Sequence, residues 1–313
     1  MTSRLATIIL TVGFFLTTCR VLPLAAEPVS LEDALGQFDQ SALTNLDLSA
    51  LPALTGFSEA QLQSICRELQ KRFQGEYVLE LAPLREVANA ALPFLDQHAE
   101  TRPYAAWLRS RLDYLAVADQ LKFTIPSPSL ELKPANPGPD AERQAWQQRL
   151  RMEDLSPGAQ VYVARLKPIF LAEGVPGELV WLAEVESSFD TLARSPLGAV
   201  GLFQLMPDTA AGLGLVLKPS DQRLLPEKNA RAAARYLKFL HGMFHDWRLA
   251  IAAYNGGEGL VGRLLEKRGA HSFDEIAPFL PAETQMYVPK VEATIMRREG
   301  VALEDLKLPR SVR

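Results

Sequence analysis

Residues 178–210 read ELVWLAEVESSFDTLARSPLGAVGLFQLMPDTA, and the fold is decided here. The stretch starts as an apolar helix built from Leu179, Val180, Trp181, Leu182, Ala183 and Val185. Glu186 follows Leu182 by four residues and Ala183 by three, so it shares their face. A carboxylate on a face built for burial is costly unless it is paired or protonated. A polar run then ends the helix, and a Gly-rich segment begins at Gly198. A second helix is expected from about Pro207, with Asp208 and Thr209 in its first turn. Taken alone, Glu186 reads as a partly buried acid satisfied by a backbone group or an arginine.

Its surroundings change that weighting. Glu186-Ser187, Ala193, Ser195, Gly198-Ala199, Gly201-Leu202-Phe203-Gln204, Met206-Pro207 and Thr209-Ala210 form an ordered pattern. It resembles the catalytic core of the lytic transglycosylases, goose-lysozyme-like enzymes that cut peptidoglycan. Downstream, an Ala-rich helix over Glu227–Phe244 and a helix from Trp247 lead to Tyr254-Asn255-Gly256-Gly257. The Gly pair ends a helix and lets backbone approach a ligand. In this context it resembles the family's second block. Pro281-Ala-Glu-Thr-Gln-Met-Tyr287-Val-Pro289-Lys resembles the third, in the form of the membrane-bound transglycosylase D branch, whose LysM repeats are not found in these 313 residues. The resemblance spans about residues 150–295. One departure is Leu225, where related sequences commonly carry an acid after the arginine.

The resemblance implies an all-α fold: a lysozyme-like (SLT) catalytic domain over 146–313, preceded by a helical amino-terminal domain. It implies that Glu186 protonates the oxygen between N-acetylmuramic acid and N-acetylglucosamine. Glu186 then acts as base on the C6 hydroxyl, leaving 1,6-anhydromuramyl ends. Ser187, Phe203, Gln204, Tyr254, Asn255 and Tyr287 are the substrate-binding residues it implies, with one tyrosine hydroxyl orienting Glu186. The residues themselves agree with part of this. A glutamate in an apolar wall favours its acid form, and most glycosidases add a second carboxylate. Glu184 lies two residues away, about 200° around a helix, and points elsewhere. Asp190 and Asp208 have no clear claim. A hydrolytic muramidase using the same acid, and a non-catalytic wall-binding module, are the rival readings.

Outward from this core, the chain is 313 residues long, 48% apolar, with net charge −4 and pI near 5.7. That allows two modest domains and shows no basic stripe of the kind that marks nucleic-acid binding. Residues 1–26 read as an export signal, with Arg4, an apolar run Leu5–Leu16 and Ala25-Ala26. Export to the periplasm or cell envelope is therefore expected. Leu16-Thr-Thr-Cys19 resembles a degenerate lipobox, so a lipid anchor on Cys19 competes with cleavage after Ala26. Cys66 is the second cysteine and sits in a helical pattern as a core residue. No metal or other cofactor is expected: His98, His241, His245 and His271 lack ligand spacing.

Residues 27–125 are expected to be a helical domain, with helix starts near Ser30 and Ser58 and apolar spacing over 79–95 and 103–123. On the last of these, Trp107, Arg109, Arg111 and Tyr114 read as the packing and solvated sides of one helix rather than a glycan groove. Residues 126–145 open with Pro126, Pro128, Pro134, Pro137 and Pro139 and are read as a linker. A helix near 158–172 stops at Gly174, and Pro176 opens the helix of Glu186.

Overall fold

The computed structural model describes residues 59–97, 99–123, 136–150 and 154–309, all within one compact unit, Asp47–Arg313. The export signal, Cys19, the expected start near Ser30, and 126–135 of the linker lie outside the described residues.

The described residues are helical, as expected; pairing of β type is limited to isolated bridges of Val200 with Arg194 and with Leu205. The helices are α1 (Glu59–Phe73), α2 (Leu84–Gln97), α3 (Arg102–Lys122), α4 (Pro139–Leu150), α5 (Pro157–Glu173), α6 (Leu182–Ser187), α7 (Pro207–Gly212), α8 (Pro226–Phe244), α9 (Trp247–Gly256), α10 (Glu258–Arg268), α11 (Phe273–Ile276) and α12 (Ala282–Glu299). Their ends follow from sequence chemistry. Ser156 Oγ accepts from the Ala159 amide to start α5, and Gly174 ends it at φ +83°. Asp246 caps Leu249 N to start α9. Leu225, the departure noted in the sequence, is the N-cap of α8 and makes no side-chain cap.

Helix α8 buries Ala230, Ala233, Ala234, Leu237 and Leu240, a stripe at three- and four-residue steps. Helix α12 is different. Residues 282–291 are buried all round, polar ones included. It packs along α4, α6 and α9 and forms the central post of the molecule. A helix this enclosed must satisfy every polar side chain internally. Gln285 donates to Leu280 O and Glu76 O, Lys290 to Ser110 O, and Thr294 to Lys290 O.

One continuous apolar core runs from Cys66, Phe73 and Leu81 through Trp107, Tyr114 and Trp146 to Phe170, Leu237 and Tyr287. The amino-terminal helices thus share a core with the helices after residue 139. Hydrogen bonds join them too: Arg194 N donates to Pro103 O, and Ala282 N to Gly75 O. Cys66 is a buried free thiol, and burial pushes its pKa up to about 12. Trp107 and Tyr114 are packing residues, and Arg109 is solvated beside Asp96. Arg111 departs from the expectation for that helix: it is buried, on the face it shares with Trp107 and Tyr114.

Candidate active site

Glu186 sits in the last turn of α6, a six-residue helix entered through a 3-10 turn over Gly177–Trp181. Val180, Leu182, Ala183 and Val185 anchor this segment in the core. The chain leaves it through Ser188 and Phe189, at φ +53° and +61°. Left-handed non-glycine residues cost on the order of 1 kcal/mol or more each and persist only when their surroundings dictate them. Here the Phe189 ring is buried edge-on against Trp181, which fixes the turn. Glu186 is thereby held at the end of a rigid helix.

Glu186 is 3% exposed. Tyr287 Oη, from α12, donates to Oε1 at 2.7 Å. Arg111 Nη2, from α3, lies 3.5 Å from Oε2. Burial raises the Glu186 pKa; Arg111 and the Tyr287 hydroxyl oppose this, and the charge of Glu283 adds to it. The net direction is up, so the acid form is favoured. Glu184, two residues earlier, faces away and is held by Arg298 Nε and Nη2.

Ser187 is buried, and its hydroxyl donates to Ala183 O and Leu202 O. It ties the end of α6 to the following loop instead of facing an open surface. That loop, residues 193–205, is pinned from below. Arg223 Nη1 donates to Gly198 O and Leu205 O, both at 2.8 Å, while its guanidinium also pairs with Asp221. Asn229 Oδ1 accepts from Phe203 N. Gly201, at φ +84°, passes so close to Arg223 O that a Cβ would lie 2.2 Å from it.

Gln204 has φ +44° and donates Nε2 to Ala193 O and Gly201 O. Its Oε1 is buried and has no hydrogen-bond partner. A buried acceptor left unpaired is rare and points to a ligand or water that completes it. Phe203 is placed differently from the rest: its ring is fully buried 5.3 Å from Phe170. Only its backbone belongs to the site, its carbonyl accepting from Tyr254 Oη at 2.7 Å. Tyr254 is half-buried and tilted against Tyr236. Asn255 Oδ1 accepts from Thr284 Oγ1.

Glu186 and Tyr287 are therefore in direct contact, and Ser187, Gln204 and Tyr254 converge on the loop beside them. Asn255 joins α9 to α12, and the Phe203 ring lies in the core. Two groups at Glu186 escaped sequence reasoning. Arg111 Nη1 donates to the Glu186 carbonyl oxygen at 3.0 Å, and Nε and Nη2 fork onto Glu283 Oε1 at 3.1 and 2.8 Å. Gln70 and Gln74 of the amino-terminal region donate to Glu283 Oε2. The signal for Arg111 was present: it lies four residues after Trp107 and three before Tyr114, a buried spacing. Its partner, 172 residues away, has no local signature. A separate open depression of about 680 Å³, lined by Glu173, Arg235, Lys238, Phe239, Gly242 and Met243, includes none of these residues.

Residues 172–277 match the family model described as "Transglycosylase SLT domain". Membrane-bound lytic murein transglycosylase D of Escherichia coli K12 is 36% identical over 171 residues, covering 52% of this chain and 38% of that one. The soluble lytic murein transglycosylase of Salmonella typhimurium is 36% identical over 122 residues, covering 36% of this chain and 19% of that one. The chain spans less than half the length of either relative. Among solved structures, lytic transglycosylase Slt of Pseudomonas aeruginosa, in an inactive mutant form, is 20% identical with a TM-score of 0.41, covering 84% of this chain and 46% of that one. The matched domain contains Glu186, Ser187, Phe203, Gln204, Tyr254 and Asn255; Arg111, Glu283 and Tyr287 lie outside it.

Proposed function

We propose that this chain is a peptidoglycan lytic transglycosylase that cleaves the β-1,4 bond between N-acetylmuramic acid and N-acetylglucosamine, with Glu186 as general acid and then base. The observation that carries the proposal is the environment of Glu186: enclosed, favoured in its acid form, and aimed by the Tyr287 hydroxyl. A buried acid holds a proton near neutral pH and can deliver it to a glycosidic oxygen. Departure of the leaving group makes Glu186 a carboxylate, which Tyr287 and Arg111 stabilise. That carboxylate removes the proton from the C6 hydroxyl as its oxygen attacks C1. The ring closes to a 1,6-anhydro sugar, and no water is consumed.

Among the described residues, the acid that shares Arg111 with Glu186 is not free to act as a second catalytic carboxylate, which favours this scheme over hydrolysis. The nearby acid, Glu283, is occupied on both oxygens by Arg111, Gln70 and Gln74. To serve as nucleophile it would have to abandon a buried charged fork, a loss of about 3–5 kcal/mol. Gln204 Oε1 is offered as the acceptor for a sugar acetamido N–H, which would satisfy its unpaired oxygen. Ser187 and Tyr254 hold the surrounding backbone in place, Asn255 is tied to the Thr284 side chain, and half-buried Tyr254 and Asn255 present surface to the glycan.

Export to the periplasm or cell envelope belongs to the same proposal, resting on the leader-like residues 1–26, with Cys19 as the alternative anchor point. Among the described residues no helix is long and apolar enough to cross a membrane. In the same proposal, the region 27–125 supports the lytic domain 146–313. The test is mass spectrometry of products from purified peptidoglycan treated with the chain or with Glu186→Gln. Anhydromuramyl ends from the wild type alone are expected. Reducing ends, heavier by one water, would assign a muramidase. Retained binding without products from either protein would assign a binding module.

A further inference from the structure

The Arg111–Glu283 pair lies directly behind Glu186, outside the matched domain, and its role is not explained by that match. Both side chains are about 95% buried. Buried ion pairs seldom add net stability over apolar replacements, so their presence beside a candidate catalytic acid calls for another account. The geometry supplies one. Arg111 touches Glu186 in two ways, donating to its backbone carbonyl through Nη1 and approaching its carboxyl through Nη2. The carbonyl is one that the end of a six-residue helix leaves without an intrahelical donor. Ser110 Oγ supports the same carbonyl at 3.2 Å. The opposite edge of the guanidinium is held by Glu283.

We propose that Arg111 and Glu283 are a positioning pair that fixes Glu186 and balances the charge it meets, so that the amino-terminal helices complete the catalytic site. The inference rests on Glu186 being the catalytic acid. Arg111 alone would pull Glu186 further toward its carboxylate form, against the effect of burial and against the proton it must deliver. Glu283 neutralises the guanidinium and takes the hydrogen bonds of its Nε and Nη2. The pair thus leaves enough positive field to receive the carboxylate formed during the reaction, without ionising the acid beforehand.

The charged and titratable groups facing Glu186 are few. Helix α3 presents Arg111 and Tyr114, α12 presents Glu283 and Tyr287, and α9 presents Tyr254. Lys290 of α12 is turned onto the Tyr114 and Trp146 rings and Ser110 O. On Glu186's own helix, Glu184 is paired with Arg298. Arg194, in the loop tied down by Ser187, acts on Asp221.

The test titrates the Glu186 carboxyl by carbon NMR in the full chain carrying ¹³C-labelled glutamate side chains, with the signal assigned by its loss in Glu186→Gln. No substrate is needed. In Glu283→Gln the guanidinium loses its anionic partner, and Glu186 is expected to titrate about one pH unit lower. The double variant Arg111→Gln/Glu283→Gln removes both charges and leaves no buried ion unpaired. There Glu186 is expected to titrate higher than in the wild type. Displacements in opposite directions follow from charge and not from general loosening. If Glu283→Gln fails to fold, the double variant decides by itself. Displacement of both variants in one direction, or an unmoved titration in the folded double variant, overturns the proposal. The alkaline limb of the peptidoglycan rate profile should move with the NMR titration; a fall in rate with no movement of the limb also overturns it. If the titrations separate as stated but the wild type yields no products, the positioning pair stands and the lytic reading fails.

Discussion

Replacing Gly201 with alanine tests how the site loop is held. The new Cβ would lie 2.2 Å from Arg223 O, 3.1 Å from Asn229 Nδ2 and 3.2 Å from Arg223 C. Real Cβ contacts essentially never fall below 3.0 Å, so the loop or the Arg223 backbone must move by about 0.8 Å or more. Arg223 cannot yield freely, because Nη1 holds Gly198 O and Leu205 O at 2.8 Å and the rest of the guanidinium holds Asp221. Losing one of these charge-assisted bonds costs about 1.5–3 kcal/mol. The left-handed backbone, at φ +84°, adds about 1–2 kcal/mol for any residue with a Cβ. The expected loss is about 3–5 kcal/mol, a large share of the stability of an ordinary domain. Gly214→Ala is the control: its φ is +87°, but nothing lies within 4 Å of a Cβ there. It should lose about 1–2 kcal/mol, from the backbone alone. Urea unfolding of both variants and the wild type reads the difference, and turnover reads the displacement of Gln204 three residues on. Equal losses, within about 0.5 kcal/mol, would refute the pinning of this loop by Arg223.

Tyr287→Phe removes the donor to Glu186 Oε1, so the acid form gains further; the alkaline limb of turnover should rise by about one pH unit and the rate should fall about tenfold. A limb that falls instead contradicts the contact. Glu186→Gln should be more stable than the wild type near neutral pH. The folded pKa of Glu186 is raised above its unfolded value, so its stabilising contribution is complete below the unfolded value and is lost as pH rises through the folded one. Thermal melts should therefore converge below about pH 4 and separate above it. Phe203→Ala should cost about 3–5 kcal/mol in chemical denaturation, because its ring is core and not glycan surface; a loss under 1 kcal/mol with weakened glycan binding would return it to the groove. Leu225→Asp provides a side-chain cap for α8 and should raise stability by about 1 kcal/mol in the same assay.

The candidate site residues were legible through the ordered pattern that resembles a known family, with some support from local chemistry. Glu186 shows itself as an acid on an apolar helical face, and the glycines at 198, 201, 256 and 257 mark where backbone turns or approaches a neighbour. Phe203 shows the limit of such reasoning. It sits between Gly201 and Gln204 in the segment of the pattern, yet alternation along the loop sends its ring into the core beside Phe170. Its neighbour Gln204 is buried too, but its amide is held within the loop by the Ala193 and Gly201 carbonyls. Ser187 likewise carries the expected hydroxyl, but that hydroxyl is taken up by Ala183 O and Leu202 O.

By itself the sequence determined the helices, including the one that carries Glu186, because periodicity and capping act over a few residues; the loop and tyrosines that accompany it were implied by the resemblance to a known family. Only the tertiary structure decided which tyrosine meets the acid: Tyr287 reaches Glu186 across 101 residues, while Tyr254 turns to Phe203 O. It also decided that Arg111 and Glu283 stand behind the site, and that the amino-terminal helices share its core. Those pairings depend on where α3 and α12 cross α6. Helix crossing is set by packing of the whole core, and a buried charge acquires its partner only when that packing brings one within reach.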